Sequence, residues 1–144
     1  MRLSNAVVKR LQLARVRICQ RCGRGRAELE GTDGASLTVP LDALRAHELE
    51  RQGQADDVPW LSAVVVGLLD AVGSHMLEVV LDTDESGLRA LLSISRGEET
   101  EVVACTAQEG VGLAARSGVP LYATAEALAG TGHPRDDDGH DRLH

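Results

Sequence analysis

Two runs of short alternating segments, each followed by helical segments, constrain the fold of this chain most strongly. Asp33-Gly34 between two alternating segments supplies the positive φ that a tight hairpin needs. Consecutive strands followed by helices predict an α+β fold with a mixed or antiparallel sheet, rather than a doubly wound one. The strands are expected over residues 13–18, 26–30, 35–39, 75–81, 88–94 and 100–105.

Helical segments complete each half of the chain. Residues 40–52 and 60–72 read as helices in the first half, and residues 107–117 and 125–129 in the second. The helix over 60–72 is almost wholly apolar, so we expect it to be the buried central helix. In both halves the third strand leads into a helix that ends in Arg-x-Gly. These parallels indicate an internal duplication of a unit of three strands and two helices.

The length of 144 residues corresponds to one domain. Residues 1–12 are a lead-in, either a short helix or an extended segment, and residues 13–130 form the domain. Residues 131–144 are expected to be a disordered acidic tail, because they have almost nothing to bury. No apolar run reaches the roughly 18 residues needed to span a membrane, so we expect a cytoplasmic protein without membrane contact.

Charge is distributed unevenly along the chain. The first 26 residues hold eight basic and no acidic side chains, and the remainder holds seven basic and all 22 acidic ones, a net charge of −15. A basic segment of this kind can contact the phosphates of DNA or RNA. In the alternative interpretation, the arginines lie on the solvent-exposed face of a strand. The alternation of the strand then places Leu13 on the same face. The candidate contacts are Arg15, Arg17, Arg24 and Arg26.

Aromatic side chains are nearly absent. One Trp, one Tyr and no Phe exclude the base-stacking platforms of single-strand-binding domains.

Three cysteines, an odd number, are typical of a reducing cytoplasm. Cys19 and Cys22 form a CxxC pair that runs into a Gly-Arg-Gly turn. A structural zinc site needs four ligands and no second pair follows, whereas a redox pair sits at the start of a helix. Plain turn chemistry, partial metal binding and redox chemistry all stay open.

The segment 108–122 carries the one motif that points to a family. Its end, Arg-Ser-Gly-Val-Pro-Leu-Tyr at residues 116–122, resembles the Arg-Thr-Gly-x-Pro-Ile-Tyr signature of the bifunctional nuclease (BFN) domain family. Residues 36–53, 59–73 and 78–81 are similar to earlier parts of that family, so the resemblance extends over about residues 13–130.

The resemblance implies a nuclease that hydrolyses DNA or RNA phosphodiesters with Mg²⁺ or Mn²⁺. The expected catalytic acids are Glu109 and Asp42, which lie at equivalent helix starts and would meet across a pseudo-twofold axis. Asp82 and Asp84 in a turn are further candidates, and metal ligands are not assigned. The alternative for Glu109 and Asp42 is a favourable interaction with the helix dipole.

Departures from the family pattern favour a second hypothesis. Gln108-Glu109 stands where the family has Ser-Asp, and Leu61-Ser62-Ala63 replaces a Thr-His-Asp triplet. In this hypothesis the chain is a catalytically degenerate BFN-like domain that binds a protein or oligomerises. Pairing of edge strands would give a homo-oligomer.

Overall fold

The computed structural model describes residues 7–51 and 61–130, so the predicted acidic tail lies outside the described residues. The strands are β1 (Val8–Ile18), β2 (Gly25–Glu30), β3 (Ser36–Leu41), β4 (Ser74–Asp84), β5 (Gly87–Arg96), β6 (Glu99–Thr106) and β7 (Leu121–Thr124). The helices are α1 (Ala43–Glu50), α2 (Leu61–Ala71), α3 (Ala107–Ser117) and α4 (Ala125–Gly130).

The first three strands form an antiparallel meander, with β3 at the edge of the sheet. The register of β1 shifts between Leu13 and Arg15, which is a β-bulge. Leu13 therefore packs toward the core opposite Leu29, and Val16 resumes the inward face opposite Ala27. The expectation that Leu13 shares the face of the arginines was wrong, because the bulge inverts the alternation.

The last strand joins the two halves of the sheet. β4, β5 and β6 form a second antiparallel meander, and β7 lies between β1 and β4, antiparallel to β1 and parallel to β4. The described residues thus form one mixed sheet in the order β3-β2-β1-β7-β4-β5-β6. This confirms the α+β class. The internal duplication stays a prediction, although a meander lies on each side of β7.

The main core lies between one face of the sheet and helices α1, α3 and α4. Its members include Leu29, Val39 and Val79 from strands and Val111 from α3. α3 approaches the sheet closely at Gly110, where an added Cβ would lie 2.3 Å from the Cβ of Ala90. A glycine at this position is therefore what lets α3 rest on β5.

Helix α2 differs from its prediction. It was expected to be the buried central helix, yet Ser62 is its one buried residue. Val65, Val66 and Leu69 pack against the core, whereas the opposite face is open to solvent. An all-apolar pattern does not say which face a helix buries, and the core side of the sheet is already occupied by α1, α3 and α4.

Two boundaries also differ from expectation. β1 begins at Val8, so the described end of the lead-in is extended and not helical. Pro40 was expected to open a helix but lies within β3, an edge strand, where a missing N–H is tolerated. α1 begins after Asp42 instead. Among the described residues, no helix has both the length and the apolar character to cross a membrane.

Candidate functional site at the joined helix N-termini

The N-termini of α1 and α3 meet, and this brings the two predicted acids into one hydrogen-bonded cluster. α1 follows β3 and α3 follows β6, and Asp42 and Thr106 are the respective N-cap residues. Each cap accepts a hydrogen bond from the backbone N–H three residues later, Arg45 in α1 and Glu109 in α3. The two acidic helix starts thus lie together, whereas the pseudo-twofold axis and the catalytic roles of Asp42 and Glu109 stay predictions.

Both carboxylate oxygens of Asp42 accept hydrogen bonds. Oδ1 accepts from the backbone N–H of Arg45 at 2.8 Å, and Oδ2 accepts from Nε2 of Gln108 at 3.1 Å. In return, the backbone N–H of Asp42 donates to Oε1 of Gln108 at 2.8 Å. The hydrogen bond from the Arg45 N–H, followed by that from Gln108, lowers the pKa of Asp42. Asp42 is therefore an ionised cap that ties α1 to α3.

Glu109 forms an ion pair with Arg45. Nε and Nη2 of Arg45 both lie 2.5 Å from Oε1 of Glu109, and the side chains are 17% and 28% exposed. The hydrogen bond to Glu109 raises the pKa of Arg45, and the charges of Asp42 and Glu48 act in the same direction. The positive charge of Arg45 thus balances the negative charges of the carboxylates around it. The favourable position of Glu109 in the first turn of α3 adds to this stabilisation.

Two more polar groups of this cluster are sequestered. Glu48 is 5% exposed and accepts a hydrogen bond from Oγ of Ser62, which joins α1 to α2. At the end of β6, burial raises the pKa of the Cys105 thiol to about 11, and the charge of Glu109 adds to the effect. Cys105 is therefore a thiol at neutral pH.

The partners Arg45, Gln108 and Glu48 were missed in the sequence. Asp42, Arg45 and Glu48 recur every third residue, a spacing that aligns side chains along one face of a helix. That pattern was readable as a charged face on α1. The contact with α3 was not, because Arg45 and Glu109 are 64 residues apart.

Three of the four predicted phosphate contacts, Arg15, Arg17 and Arg26, lie on the opposite side of the sheet and form the arginine face. Arg15 and Arg17 stand beside Glu28, with Nε distances of 2.9 and 2.6 Å to its carboxylate oxygens. Arg26 is paired with Arg17 in register, and these residues alternate with the inward-facing Ala27. The arginine face therefore points away from α1 and α3 and does not adjoin Asp42 and Glu109. Arg24 lies in the β1–β2 turn and is exposed.

The further acidic candidates are also paired. Asp82 and Asp84 were expected in a turn but belong to β4, whose pairing with β5 continues to Asp84. Their carboxylates lie 3.8 and 3.6 Å from the guanidinium of Arg89 on β5. Thr124 donates a hydrogen bond to Asp82 at 2.9 Å. Within residues 7–51 and 61–130, no group of three or more His, Cys, Asp or Glu side chains could hold a metal ion.

No protein-family model matches the chain, and no curated protein sequence matches it. The resemblance to the bifunctional nuclease family therefore stays a prediction. Its motif lies where α3 passes into β7: Gly118 ends α3 with a φ of 71°, and the carbonyl of Pro120 accepts a hydrogen bond from the N–H of Val79 at 3.0 Å. These roles of the motif residues are structural ones.

Proposed function

We propose that this chain is a BFN-like domain that acts as a self-associating module, and that a second copy binds to the exposed face of α2. The observation that carries the proposal is an apolar stripe on that face. In chain order, its four side chains are 54%, 42%, 62% and 72% exposed to solvent. The α2 stripe consists of Leu61, Val64 and Leu68 of α2 and of Val72, which directly follows the helix.

The stripe is suited to a twofold interface. Its spacings of three and four residues place it on one side of the helix. In an antiparallel pair of α2 helices, Leu61 would oppose Val72 and Val64 would oppose Leu68. The exposed Gly67 and Ala71 beside the stripe are small, which favours close approach of two helices. Such a self-complementary arrangement is what a twofold dimer requires.

Charge also favours a second copy of the chain as the partner. Asp70 is the one ionisable residue of α2, so two α2 helices can approach with little repulsion although each chain carries a net charge of −7. A contiguous apolar surface on a folded protein marks an interaction site. We further propose that the protein works in the cytoplasm, where its free thiols remain reduced.

The experiment compares the mass of the full-length protein in solution with that of two variants. In a buffer with EDTA, size-exclusion chromatography with light scattering should give a dimer for the wild type and a monomer for Leu68→Glu. Leu44→Glu is the matched control, because Leu44 is an exposed leucine on α1. It should remain a dimer, and all three proteins should have the same circular dichroism spectrum. A monomeric wild type, or a dimeric Leu68→Glu, would overturn the proposal.

Metal-assisted hydrolysis of DNA or RNA is the second candidate function. It is favoured by the approach of Asp42 and Glu109 around Arg45. It is disfavoured because these acids are held in a cap and an ion pair, and because the arginine face lies across the sheet from them. In this candidate, Mg²⁺ or Mn²⁺ would be the cofactor and the arginine face would bind nucleic acid.

A nuclease assay distinguishes the two candidates. Labelled single-stranded DNA, duplex DNA and RNA are incubated with the protein and Mg²⁺ or Mn²⁺, with EDTA as a control. Glu126→Ala, which removes an acid from the first turn of α4, is the matched control for Glu109→Ala. We expect no metal-dependent cleavage. Cleavage that is lost with EDTA and in Glu109→Ala, but kept in Glu126→Ala, would establish the nuclease.

A further inference from the structure

The turn between β1 and β2 places two thiols side by side. Cys19 and Cys22 are both exposed and free. The N–H of Cys19 donates to the carbonyl of Arg24 at 2.7 Å, and the N–H of Gly23 donates to the carbonyl of Cys19 at 3.0 Å. Gly23 has a φ of 76°, in the left-handed region that glycine adopts without strain. The CxxC segment is therefore closed into one defined turn.

Hydrogen bonds within this turn converge on the sulfur of Cys19. The backbone N–H of Cys22, the thiol of Cys22 and the backbone N–H of Arg21 all donate to this sulfur. The thiolate is the form of cysteine that binds metal ions, and donors to its sulfur stabilise it. The turn thus differs from the site of Cys105, where burial favours the thiol.

Packing fixes the base of the turn against α1. A Cβ at Gly23 would lie 3.4 Å from the Cβ of Ala43. At Gly25 there is no room for a side chain, because a Cβ would lie 2.5 Å from the carbonyl oxygen of Arg17 and 2.9 Å from the Cβ of Ala46. The backbone that carries the two cysteines is therefore held in place before any ligand binds, which reduces the entropic cost of binding.

The ligand count indicates how such a site would be completed. A closed tetrahedral zinc site takes four ligands, and no third His, Cys, Asp or Glu joins the pair within the described part of the chain. We propose that the Cys19–Cys22 turn is half of a four-thiolate site for a thiophilic divalent cation such as Zn²⁺, and that the same turn of a second copy supplies the other half.

The positive charge beside the turn favours a metal site with four thiolates over one with two. A divalent cation with four thiolates is a dianion, whereas one with two thiolates and water is neutral. Each copy brings Arg21 and Arg24 to the turn, and cations beside an anionic centre stabilise it. The turn also lacks the helix N-terminus that activates a redox CxxC pair, so metal binding fits its geometry better than disulfide exchange.

Cobalt titration of the reduced full-length protein tests this site. Co²⁺ should produce thiolate-to-metal charge-transfer absorption that saturates at one ion per two chains and is displaced by Zn²⁺. The absorption should be lost in Cys19→Ser and in Cys22→Ser and kept in Cys105→Ser, the matched control. No such absorption, saturation at one ion per chain, or persistence in Cys19→Ser would overturn the proposal.

The Leu68→Glu variant separates this site from the interface proposed on α2. The turn and the α2 stripe share no residue, so Leu68→Glu should bind cobalt with the same stoichiometry as the wild type. Zn²⁺ should convert the monomeric variant to a dimer, and EDTA should reverse the change. A variant that stays monomeric with Zn²⁺ would overturn the shared metal site, whatever the state of the metal-free wild type.

Discussion

Replacing Glu109 by Gln should destabilise the fold by about 2 kcal/mol. A hydrogen bond to a charged group contributes about 1.5–3 kcal/mol, and breaking a fully buried pair costs about 3–5 kcal/mol. The pair of Glu109 and Arg45 is only partly buried, and Arg45 still has the charges of Asp42 and Glu48 near it when Glu109 is replaced. The loss should therefore match that of one hydrogen bond to a charged group. For a domain of this size, about 2 kcal/mol corresponds to a fall in Tm of roughly 8 °C.

Thermal and urea unfolding followed by circular dichroism at neutral pH measures this loss. Arg45→Gln and the double variant complete a double-mutant cycle, in which the coupling energy should be about 1–2 kcal/mol. Glu126→Gln on α4 is the control and should change the free energy of unfolding by less than about 0.5 kcal/mol. Equal stabilities of Glu109→Gln and wild type, or additive effects in the cycle, would refute a structural ion pair.

Three further predictions test the helices. Gly110→Ala should cost about 1–3 kcal/mol because its Cβ would meet Ala90, whereas Gly112→Ala, with open space around it, should stabilise by about 0.5–1 kcal/mol; urea unfolding compares the two. Asp42→Asn keeps a good N-cap but removes a carboxylate with a lowered pKa. The stability from this carboxylate is present above its ordinary pKa of 3.8 and is lost as the pH falls through the folded value, so the advantage of wild type over Asp42→Asn in urea melts should vanish in acid. An advantage that grows in acid would contradict this sign. Gly118→Ala, which forces alanine to a φ of 71°, should destabilise α3 by about 1 kcal/mol, and an unchanged Tm would contradict this cap.

The elements of the fold were largely readable from the sequence because their signals are local. α3 was predicted with its observed bounds, since Thr106 caps its start and Gly118 ends it. Alternation and turn glycines located the strands of both meanders. The position of β7 between β1 and β4 could not be read, because it depends on pairing between distant segments.

The candidate site was predicted only in part for the same physical reason. The meeting of Asp42 and Glu109 followed from the similar layout of the two halves. The contacts of Gln108 with Asp42 and of Arg45 with Glu109 could not be read, because each joins residues more than sixty positions apart in the chain. The exposure of α2 was missed because a helix that is apolar on most sides gives no periodic signal for its buried face.

Sedimentation velocity of the wild-type protein with EDTA, at low and high salt, tests the central claim most directly. Association through the uncharged α2 stripe predicts a species of twice the 15.3 kDa chain mass that persists at high salt. Association between the basic N-terminal segment and the acidic remainder would weaken as salt screens the charges. A dimer at both salt concentrations is the predicted result, and a monomer at both, or a dimer that dissociates with salt, would contradict the claim.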